Sequence, residues 1–254
     1  MIELKNVCAG YEGKNVLHHA NVVFEPGTIT VLVGPNGCGK STLLKTIVGI
    51  NTHCEGEILV DGISIKNMTS RELARKAAYL AQNKKAPDIS VLKMVLHGRF
   101  AHLSYPRKYR SKDVEIAKSA LCWAGMETQA DKLVSKLSGG MQQKVYIAMA
   151  LAQDADTILM DEPTTYLDVA HQLRLMEMAR QLAREGKAIV MVLHDLTQAL
   201  QIADKVVVLK EGKLIAQGTA DEVYEGGSLQ KAFHVEIERV HTKSGWHYLC
   251  TLPE

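Results

Sequence analysis

A glycine-rich stretch at residues 34–42, GPNGCGKST, contains the residue types that hold a chain of phosphates. It fits the pattern G-x-x-x-x-G-K-[S/T], in which glycines allow backbone N–H groups to turn inward around phosphate oxygens. Lys40 would place a positive charge on the terminal phosphates, and the Ser41 hydroxyl would be a ligand for Mg²⁺. The apolar run TITVLVG before it is typical of a buried strand. We therefore predict a strand, a phosphate-binding loop and a helix from about Lys40.

A second possible phosphate site lies much later in the chain, in the stretch LSGGMQQK. Ser138, Gly139 and Gly140 precede a segment that is predicted to be helical, and the N-terminus of a helix attracts anions. An ordinary helix cap is the alternative interpretation. The sequence therefore raises the question of why one chain of this size would contain two phosphate sites so far apart.

Two acidic residues follow another predicted strand, in the stretch TILMDEP. Asp161, at the tip of this strand, would hold Mg²⁺ through water, and Glu162 would act as the general base for a water molecule facing the γ-phosphate. Because strands often end in acids, this pattern is informative only in combination with the phosphate-binding loop. His194 ends the apolar run AIVMVLH, and it is either a structural residue or a donor that senses the γ-phosphate.

Three further residues have both a plain interpretation and a functional one. Thr69 and Glu72 match a capping box that opens a predicted helix over RELARKAAYLA. Gln82 would end this helix. It is either a surface amide or a contact to Mg²⁺ and the attacking water. Tyr11, in a turn between strands, either packs locally or stacks on a base. Cys38 lies near backbone amides that would lower its pKa, so it is either an incidental small residue or sensitive to oxidation.

The elements that must position these residues alternate between strands and helices at both ends of the chain. IELKNVCA, VLHHANVVFE and GEILVDG predict short strands separated by turns. Between about residues 84 and 150 the pattern is mostly helical, with Gly98 and Gly125 as expected helix ends. Two hairpins are predicted near the C-terminus, the first turning at Glu211 and Gly212. The sequence therefore predicts an α/β sheet with an inserted helical subdomain.

Composition narrows the class of protein. The 254 residues are 46% hydrophobic and 23% charged, which is typical of a globular protein, and the net charge of +2 gives no electrostatic reason to expect nucleic acid as a partner. No apolar run approaches the roughly 20 residues needed to cross a bilayer, and the N-terminus lacks a signal-peptide pattern. The five cysteines are scattered, which favours reduced thiols in a cytoplasm. A membrane partner would therefore be a separate chain.

Taken together and in this order, these motifs resemble those of the ATP-binding cassette (ABC) ATPases of transporters, over nearly the whole chain. GPNGCGKST is similar to the Walker A loop, LSGGMQQK to the signature motif and LMDEP to the Walker B strand. Gln82, the residues YLD at 166–168 and His194 resemble the Q-loop, the D-loop and the switch histidine. Tyr11 resembles the aromatic residue that stacks on adenine.

The resemblance implies a P-loop NTPase (RecA-like) α/β fold in a single ABC ATPase domain. It implies a core with an N-terminal antiparallel β subdomain at residues 1–83 and 151–254, an α-helical signature subdomain at 84–150, and ATP and Mg²⁺ as cofactors. The implied catalytic residues are Glu162, His194, Lys40 and Gln82, and the implied metal ligands are Ser41, Gln82 and Asp161. The residues implied to contact ATP are Tyr11, Val16, Gly34, Pro35, Asn36, Gly37, Cys38, Gly39, Lys40, Ser41, Thr42, Gln82, Asp161, Ser138, Gly139 and Gly140.

The resemblance also explains the second phosphate site. In this family two cassettes pair head to tail, and ATP is held between the Walker motifs of one copy and the signature motif of the other. Ser138 and the amide of Gly140 would therefore serve the nucleotide of a partner copy. The sequence departs from the family at Met141, where the signature motif usually has Gln. A polar contact near the ribose or the interface is then missing, unless Gln142 replaces it.

Narrower similarities indicate a subgroup and its partners. DEPTTYLDVAHQ, VLHDLTQAL and GRFAH resemble the ATPase subunits of importers for iron-siderophores, haem and cobalamin, although Ala101 stands where that subgroup often has Pro. This resemblance implies a homodimer on the cytoplasmic face of the cell membrane. It also implies two membrane permease subunits and, indirectly, a periplasmic or lipid-anchored substrate-binding protein. The permease contact is expected on residues 83–103, which include Asp88, Met94, Arg99 and Phe100.

Two alternative functions share the same nucleotide site. The first is a soluble cassette that serves a protein-assembly complex of the iron–sulfur scaffold type, and the second is half of an exporter. A membrane permease or a soluble scaffold as the partner would separate the importer from the first alternative.

Overall fold

The computed structural model describes residues 1–51, 54–82, 86–242 and 245–253. Within these ranges the strands are β1 (Ile2–Tyr11), β2 (Lys14–Phe24), β3 (Ile29–Val33), β4 (Cys54–Val60), β5 (Ile63–Ser64), β6 (Ala77–Leu80), β7 (Thr157–Asp161), β8 (Ala188–Val192), β9 (Lys205–Lys210), β10 (Lys213–Gly218), β11 (Glu236–Thr242) and β12 (Gly245–Thr251). The α-helices are α1 (Lys40–Ile47), α2 (Ser70–Lys76), α3 (Val91–His97), α4 (Ser111–Trp123), α5 (Gly139–Ala152), α6 (Val169–Arg184), α7 (Leu196–Ile202), α8 (Ala220–Glu225) and α9 (Ser228–Phe233).

A six-stranded sheet in the order β10-β9-β3-β8-β7-β6 forms the centre of the fold. Its strands are parallel except for the edge strand β10, and every residue of β3, β7 and β8 is buried. This explains why those strands are continuous apolar runs, since both of their faces are covered. Because parallel strands end at the same edge, the segments after β3, β6, β7 and β8 meet there.

A second sheet covers one side of this core. It is antiparallel, in the order β2-β1-β4-β5, and it contains the N-terminal strands predicted from the sequence. Helix α1 packs between the two sheets, since Leu43, Leu44 and Ile47 share one buried cluster with residues of both. This arrangement confirms the α/β class with an N-terminal antiparallel sheet.

The helical insertion lies between β6 and β7 in the chain, and its main helices α3, α4 and α5 pack on one another. Gly98 allows a close approach, because a Cβ atom there would lie only 2.3 Å from the carbonyl oxygen of Met149 on α5. Arg99 is buried beside it, and its Nε lies 3.2 Å from Oδ1 of Asp113 on α4. In the described part of the chain, no helix combines the length and the apolar character needed to cross a bilayer.

The helix predicted over residues 71–81 is wrong in its second half. The capping box of Thr69 and Glu72 is present, but α2 ends at Lys76, and Ala77–Leu80 forms strand β6. The alanine-rich sequence favours a helix locally, yet β6 pairs in parallel with β7 and buries Ala77, Ala78 and Leu80. Tertiary pairing therefore overrides local propensity here, and Gln82 follows a strand rather than a helix.

Both predicted C-terminal hairpins are confirmed. β9 and β10 are joined through Glu211 and Gly212, which have φ angles of 48° and 76°. Positive φ at both central residues is the geometry that a two-residue hairpin turn requires. β11 and β12 form a separate antiparallel pair that packs on α7.

Candidate nucleotide-binding site

A cavity of about 470 Å³ lies at the edge of the central sheet where its parallel strands end. It is lined by residues from five separate stretches of the chain, all of which were predicted from the sequence: Val16, Asn36, Gly37, Gly39, Lys40, Ser41, Thr42, Gln82, Glu162 and His194. The parallel topology explains this meeting, since β3, β6, β7 and β8 deliver four of the five stretches to one edge.

The loop between β3 and α1 is built around its glycines. Gly37 and Gly39 have φ angles of 78° and 106°, which glycine adopts far more readily than other residues. A Cβ atom at Gly34 would lie 2.2 Å from the carbonyl oxygen of Leu209, so this position has no room for a side chain. The buried ammonium of Lys40 donates to the carbonyl oxygens of Gly34 (2.6 Å) and Pro35 (3.0 Å), which places its charge within the loop.

Asp161 ends β7 beside this loop, and each of its carboxylate oxygens accepts one hydrogen bond. The hydroxyl of Ser41 donates to Oδ1 at 3.0 Å, and the hydroxyl of Tyr79 donates to Oδ2 at 3.1 Å. Burial raises the pKa of Asp161, and the two hydrogen bonds act in the opposite direction. The oxygen atoms of Ser41 and Asp161 are hard ligands next to one another, so this donor set fits Mg²⁺.

Glu162 lies between two of the other predicted catalytic side chains, those of Gln82 and His194. Its Oε1 lies 2.6 Å from Nε2 of His194, and its Oε2 accepts a 2.5 Å hydrogen bond from the amide of Gln82. The residue has a φ of 51°, which directs it away from the strand that precedes it. A carboxylate held from two sides at the wall of a phosphate cavity can accept a proton from water.

Several predicted contacts do not line the cavity. Gly34, Pro35, Cys38 and Asp161 belong to its supporting structure, and Tyr11 is half exposed at the end of β1.

The expectation that the pKa of Cys38 is lowered is wrong. Burial raises the pKa of this thiol, and the nearby charge of Lys40 only partly opposes the effect. Cys38 is therefore a poor candidate for an oxidation-sensitive residue.

The second predicted phosphate site is at the start of α5. Ser138 caps this helix, since its Oγ accepts from the backbone N–H of Met141 at 3.4 Å, and Ser138 and Gly139 are exposed. Among the residues that the structure describes, 138–140 are not part of the cavity lining. The two sites are therefore separate within one copy of the chain.

The family model for ABC transporters matches residues 17–165, which is more than half of the chain. The chain belongs to the ABC transporter family. As a member with this loop and these carboxylates it is an ATPase, and its fold is that of the P-loop NTPases. The matched residues include the Walker A loop, the signature motif and the Walker B strand of this ABC ATPase.

Curated relatives and solved structures agree with this assignment. This ABC ATPase is 38% identical to the petrobactin import ATP-binding protein FpuD of Bacillus anthracis, over 93% of the chain and 88% of the relative. It is 40% identical to the iron(3+)-hydroxamate import ATP-binding protein FhuC of Bacillus subtilis, over 91% and 87%. A metal-chelate type ABC transporter in an inward-facing conformation has a TM-score of 0.83 at 27% identity, over 100% of this chain and 97% of that one. A dimeric bacterial ABC transporter cassette has a TM-score of 0.78 at 29% identity, over 87% and 99%.

The unusual signature residue of this ABC ATPase has a local explanation. Met141 is half buried and packs against the main hydrophobic core, where an amide would lose its hydration. Gln142 does not take the place of a signature glutamine, because its side-chain amide donates to the carbonyl oxygen of Leu137 at 2.9 Å. The cap of the helix at Ser138 uses the backbone N–H of residue 141 and does not depend on its side chain.

Sequence reasoning missed two residues that support the site. Tyr79 holds the Walker B aspartate, and Gln143 on α5 donates to the carbonyl oxygen of Pro163, directly after Glu162, at 2.9 Å. A strand assignment for AAYL would have placed Tyr79 one residue before the end of a strand, next to the tip of β7. For Gln143, the sequence contains no signal that distinguishes it from a surface amide.

Proposed function

We propose that this chain is the ATPase subunit of a bacterial ABC importer for an iron-siderophore complex. The observation that carries the ATPase chemistry is the convergence of Glu162, Gln82 and His194 on the cavity beside the phosphate loop. The names of the relatives support the cargo, since FpuD and FhuC are import ATP-binding proteins for petrobactin and iron-hydroxamates. This favours a siderophore over haem or cobalamin.

The proposed mechanism assigns one task to each group. The loop at residues 34–42 holds the phosphates of ATP, and Lys40 offsets their charge. Ser41, Asp161 and Gln82 would hold Mg²⁺, which when bound neutralises phosphate charge. Glu162 takes a proton from the attacking water, while His194 and Gln82 keep the carboxylate in place.

The proposed working unit is a head-to-tail dimer, in which residues 138–140 of one copy complete the nucleotide site of the other. Two observations support it: the signature turn is exposed and outside the cavity of its own copy, and a similar cassette has a dimeric structure. In this scheme residues 84–150 form the signature subdomain, and residues 1–83 and 151–254 form the core. ATP then closes the dimer, and hydrolysis releases it.

Replacing Ser138 with Arg is expected to lower ATP hydrolysis by about tenfold or more, because the long side chain displaces the partner's phosphate from the helix N-terminus. Binding of ATP to each single chain should be unchanged, since Ser138 lies outside the cavity of its own copy. Steady-state ATPase rates and a nucleotide titration measure the two effects. Ser111→Arg, at the exposed start of α4, is the matched control. Full ATPase activity in Ser138→Arg would contradict the shared site.

We place the permease contact on the helical insertion, at a groove of about 330 Å³ between α2 and the residues that follow α3. Phe100 is 51% exposed at this groove, and the guanidinium of Arg107 lies 4.8 Å from the centre of its ring. Two residues expected to contribute do not: Met94 and Arg99 are buried in the helical packing. Residues 83–85 of the expected contact lie outside the described ranges. The groove would face a permease at the cytoplasmic side of the membrane, with a substrate-binding protein reached only through the permease.

Purification of the tagged chain from detergent-solubilised membranes of its native host tests the importer assignment. We expect two permease subunits to co-purify, and we expect deletion of the gene to abolish uptake of an iron-loaded siderophore. A soluble assembly scaffold as the stable partner would favour the protein-assembly alternative. Normal uptake in the deletion strain together with loss of an efflux activity would favour the exporter.

A further inference from the structure

The first two turns of α5 are tied to the segment at residues 163–168, which connects Glu162 to α6. The amide of Gln143 donates to the carbonyl oxygen of Pro163 at 2.9 Å. A Cβ atom at Gly140 would lie 3.0 Å from the carbonyl oxygen of Tyr166, so helix and segment are in close contact. The segment at residues 163–168, which follows Glu162 in the chain, therefore sets the direction of the signature turn at residues 138–140.

A third tie consists of titratable side chains. Oδ1 of Asp168 caps α6 by accepting from the backbone N–H of His171 at 2.9 Å, and it also lies 2.6 Å from Nδ1 of the same residue. On the other side of the ring, Nε2 of His171 lies 2.5 Å from Nζ of Lys144 on α5. The chain Asp168–His171–Lys144 thus bridges the start of α6 and the signature helix.

The chemistry of the three groups determines where the protons are. A lysine ammonium has only donors, so Nε2 of His171 must be the acceptor and carry no hydrogen. A carboxylate has only acceptors, so Nδ1 must carry the hydrogen that is donated to Asp168. The bridge therefore requires a neutral imidazole in one tautomer. A second proton on Nε2 would remove the acceptor and place two positive charges in contact.

Charged groups of both signs lie around the ring of His171. Lys144 and His171 line a cavity of about 370 Å³ together with Cys122 and Trp123 at the end of α4 and with Arg174 and Glu177 on α6. Burial lowers the pKa of Lys144 and the nearby charge of Arg174 lowers it further, while the carboxylate of Asp168 acts in the opposite direction. Glu177 is the acidic group on this wall of α6, and it also lies near Arg180 and Arg184.

We propose that Lys144 and His171 are positioning residues that hold the signature helix against the segment at 163–168 only while His171 is neutral. Below the pH at which His171 gains its second proton, the bridge opens and the helix is held by fewer contacts. Ser138 and the glycines at its N-terminus then lose their fixed direction. This consequence rests on the proposed dimer. In that dimer the signature turn would be misplaced at acidic pH, and the rate of ATP hydrolysis would fall.

A direct test uses Trp123, which lines the same cavity as His171, in a single copy of the chain without nucleotide. In a Trp246→Phe background, Trp123 is the remaining tryptophan, and its fluorescence is measured from pH 8 to pH 5.5. We expect a pH-dependent change that His171→Gln abolishes and that His241→Gln, on an exposed part of β11, leaves intact. Nitrogen-15 NMR at pH 8 should show His171 as the neutral tautomer with its hydrogen on Nδ1. A hydrogen on Nε2, or a fluorescence titration that persists in His171→Gln, would overturn the proposal.

Activity provides the second test. Lys144→Met should lower the ATPase rate at pH 8 by about 2- to 30-fold, the range expected when one link between coupled elements is removed. Lys144→Arg, which can still donate to Nε2, should restore most of the rate. His171→Gln should retain a larger fraction of its pH 8 activity at pH 6 than the unmodified chain does. Unchanged rates in Lys144→Met would contradict the positioning role. If the single-copy titration is observed but no variant or condition yields an ATP-dependent dimer, the bridge stands and the proposed function fails.

Discussion

Glu162→Gln is expected to slow ATP hydrolysis by about 10²–10⁴-fold, the contribution typical of a general base. Glutamine has the shape of glutamate, so its side chain can keep contacts with Gln82 and His194, but it does not take a proton from water. The affinity for ATP should be nearly unchanged, because the phosphate loop and Lys40 remain intact. With ATP and Mg²⁺ present, the variant should therefore accumulate as a closed dimer.

Steady-state ATPase assays and light scattering measure these two effects. Glu115→Gln, on the exposed side of α4, serves as the matched control and should behave as the unmodified chain does. A slow variant that remains monomeric at saturating ATP would argue against the shared nucleotide site. A variant with normal turnover would show that another group accepts the proton.

Lys40→Ala should weaken ATP binding by about 10- to 150-fold, since hydrogen bonds to a charged group contribute ~1.5–3 kcal/mol. The same charge stabilises the transition state, so kcat/KM should fall by about 10³-fold or more. The structural reason is that the Lys40 ammonium is buried in the loop, within hydrogen-bond distance of the Gly34 and Pro35 carbonyl oxygens. A titration with a fluorescent ATP analogue and an ATPase assay measure both quantities.

Lys66→Ala removes an exposed lysine outside the cavity and is the control for the change in net charge. Thermal unfolding of both variants separates loss of binding from loss of structure, because Lys40 also bonds to its own loop. A dissociation constant in Lys40→Ala equal to that of the control would rule out the assigned role of Lys40.

The local structure around the candidate site was predicted correctly where neighbours in sequence act together. The loop at residues 34–42 is one example, because its glycines and its lysine define the turn and the charge within nine positions. The pair Asp161 and Glu162 is a second example, because an apolar strand that ends in two acids determines where both carboxylates emerge. The helix that begins after Ser138 is a third.

The failures have a different physical origin. The segment after Lys76 has helical propensity, but its pairing with β7 makes it a strand, and this pairing depends on residues about eighty positions away. Met94 and Arg99 resemble surface residues in the sequence, yet the close approach of α3 to α5 at Gly98 buries them. In each case a partner from a distant part of the chain decides the outcome.

The sequence by itself was enough to predict the chemistry of this ABC ATPase: a glycine-rich loop for phosphate, Glu162 as the candidate general base, and a second candidate phosphate site at Ser138. Only the tertiary structure decided how these parts are joined. It placed Tyr79 on Asp161, set Glu162 between Gln82 and His194, and connected Lys144 to His171. The physical reason is that a short motif encodes its own backbone geometry and functional groups. A contact between elements depends instead on strand order and helix packing, which arise from burial over the whole chain.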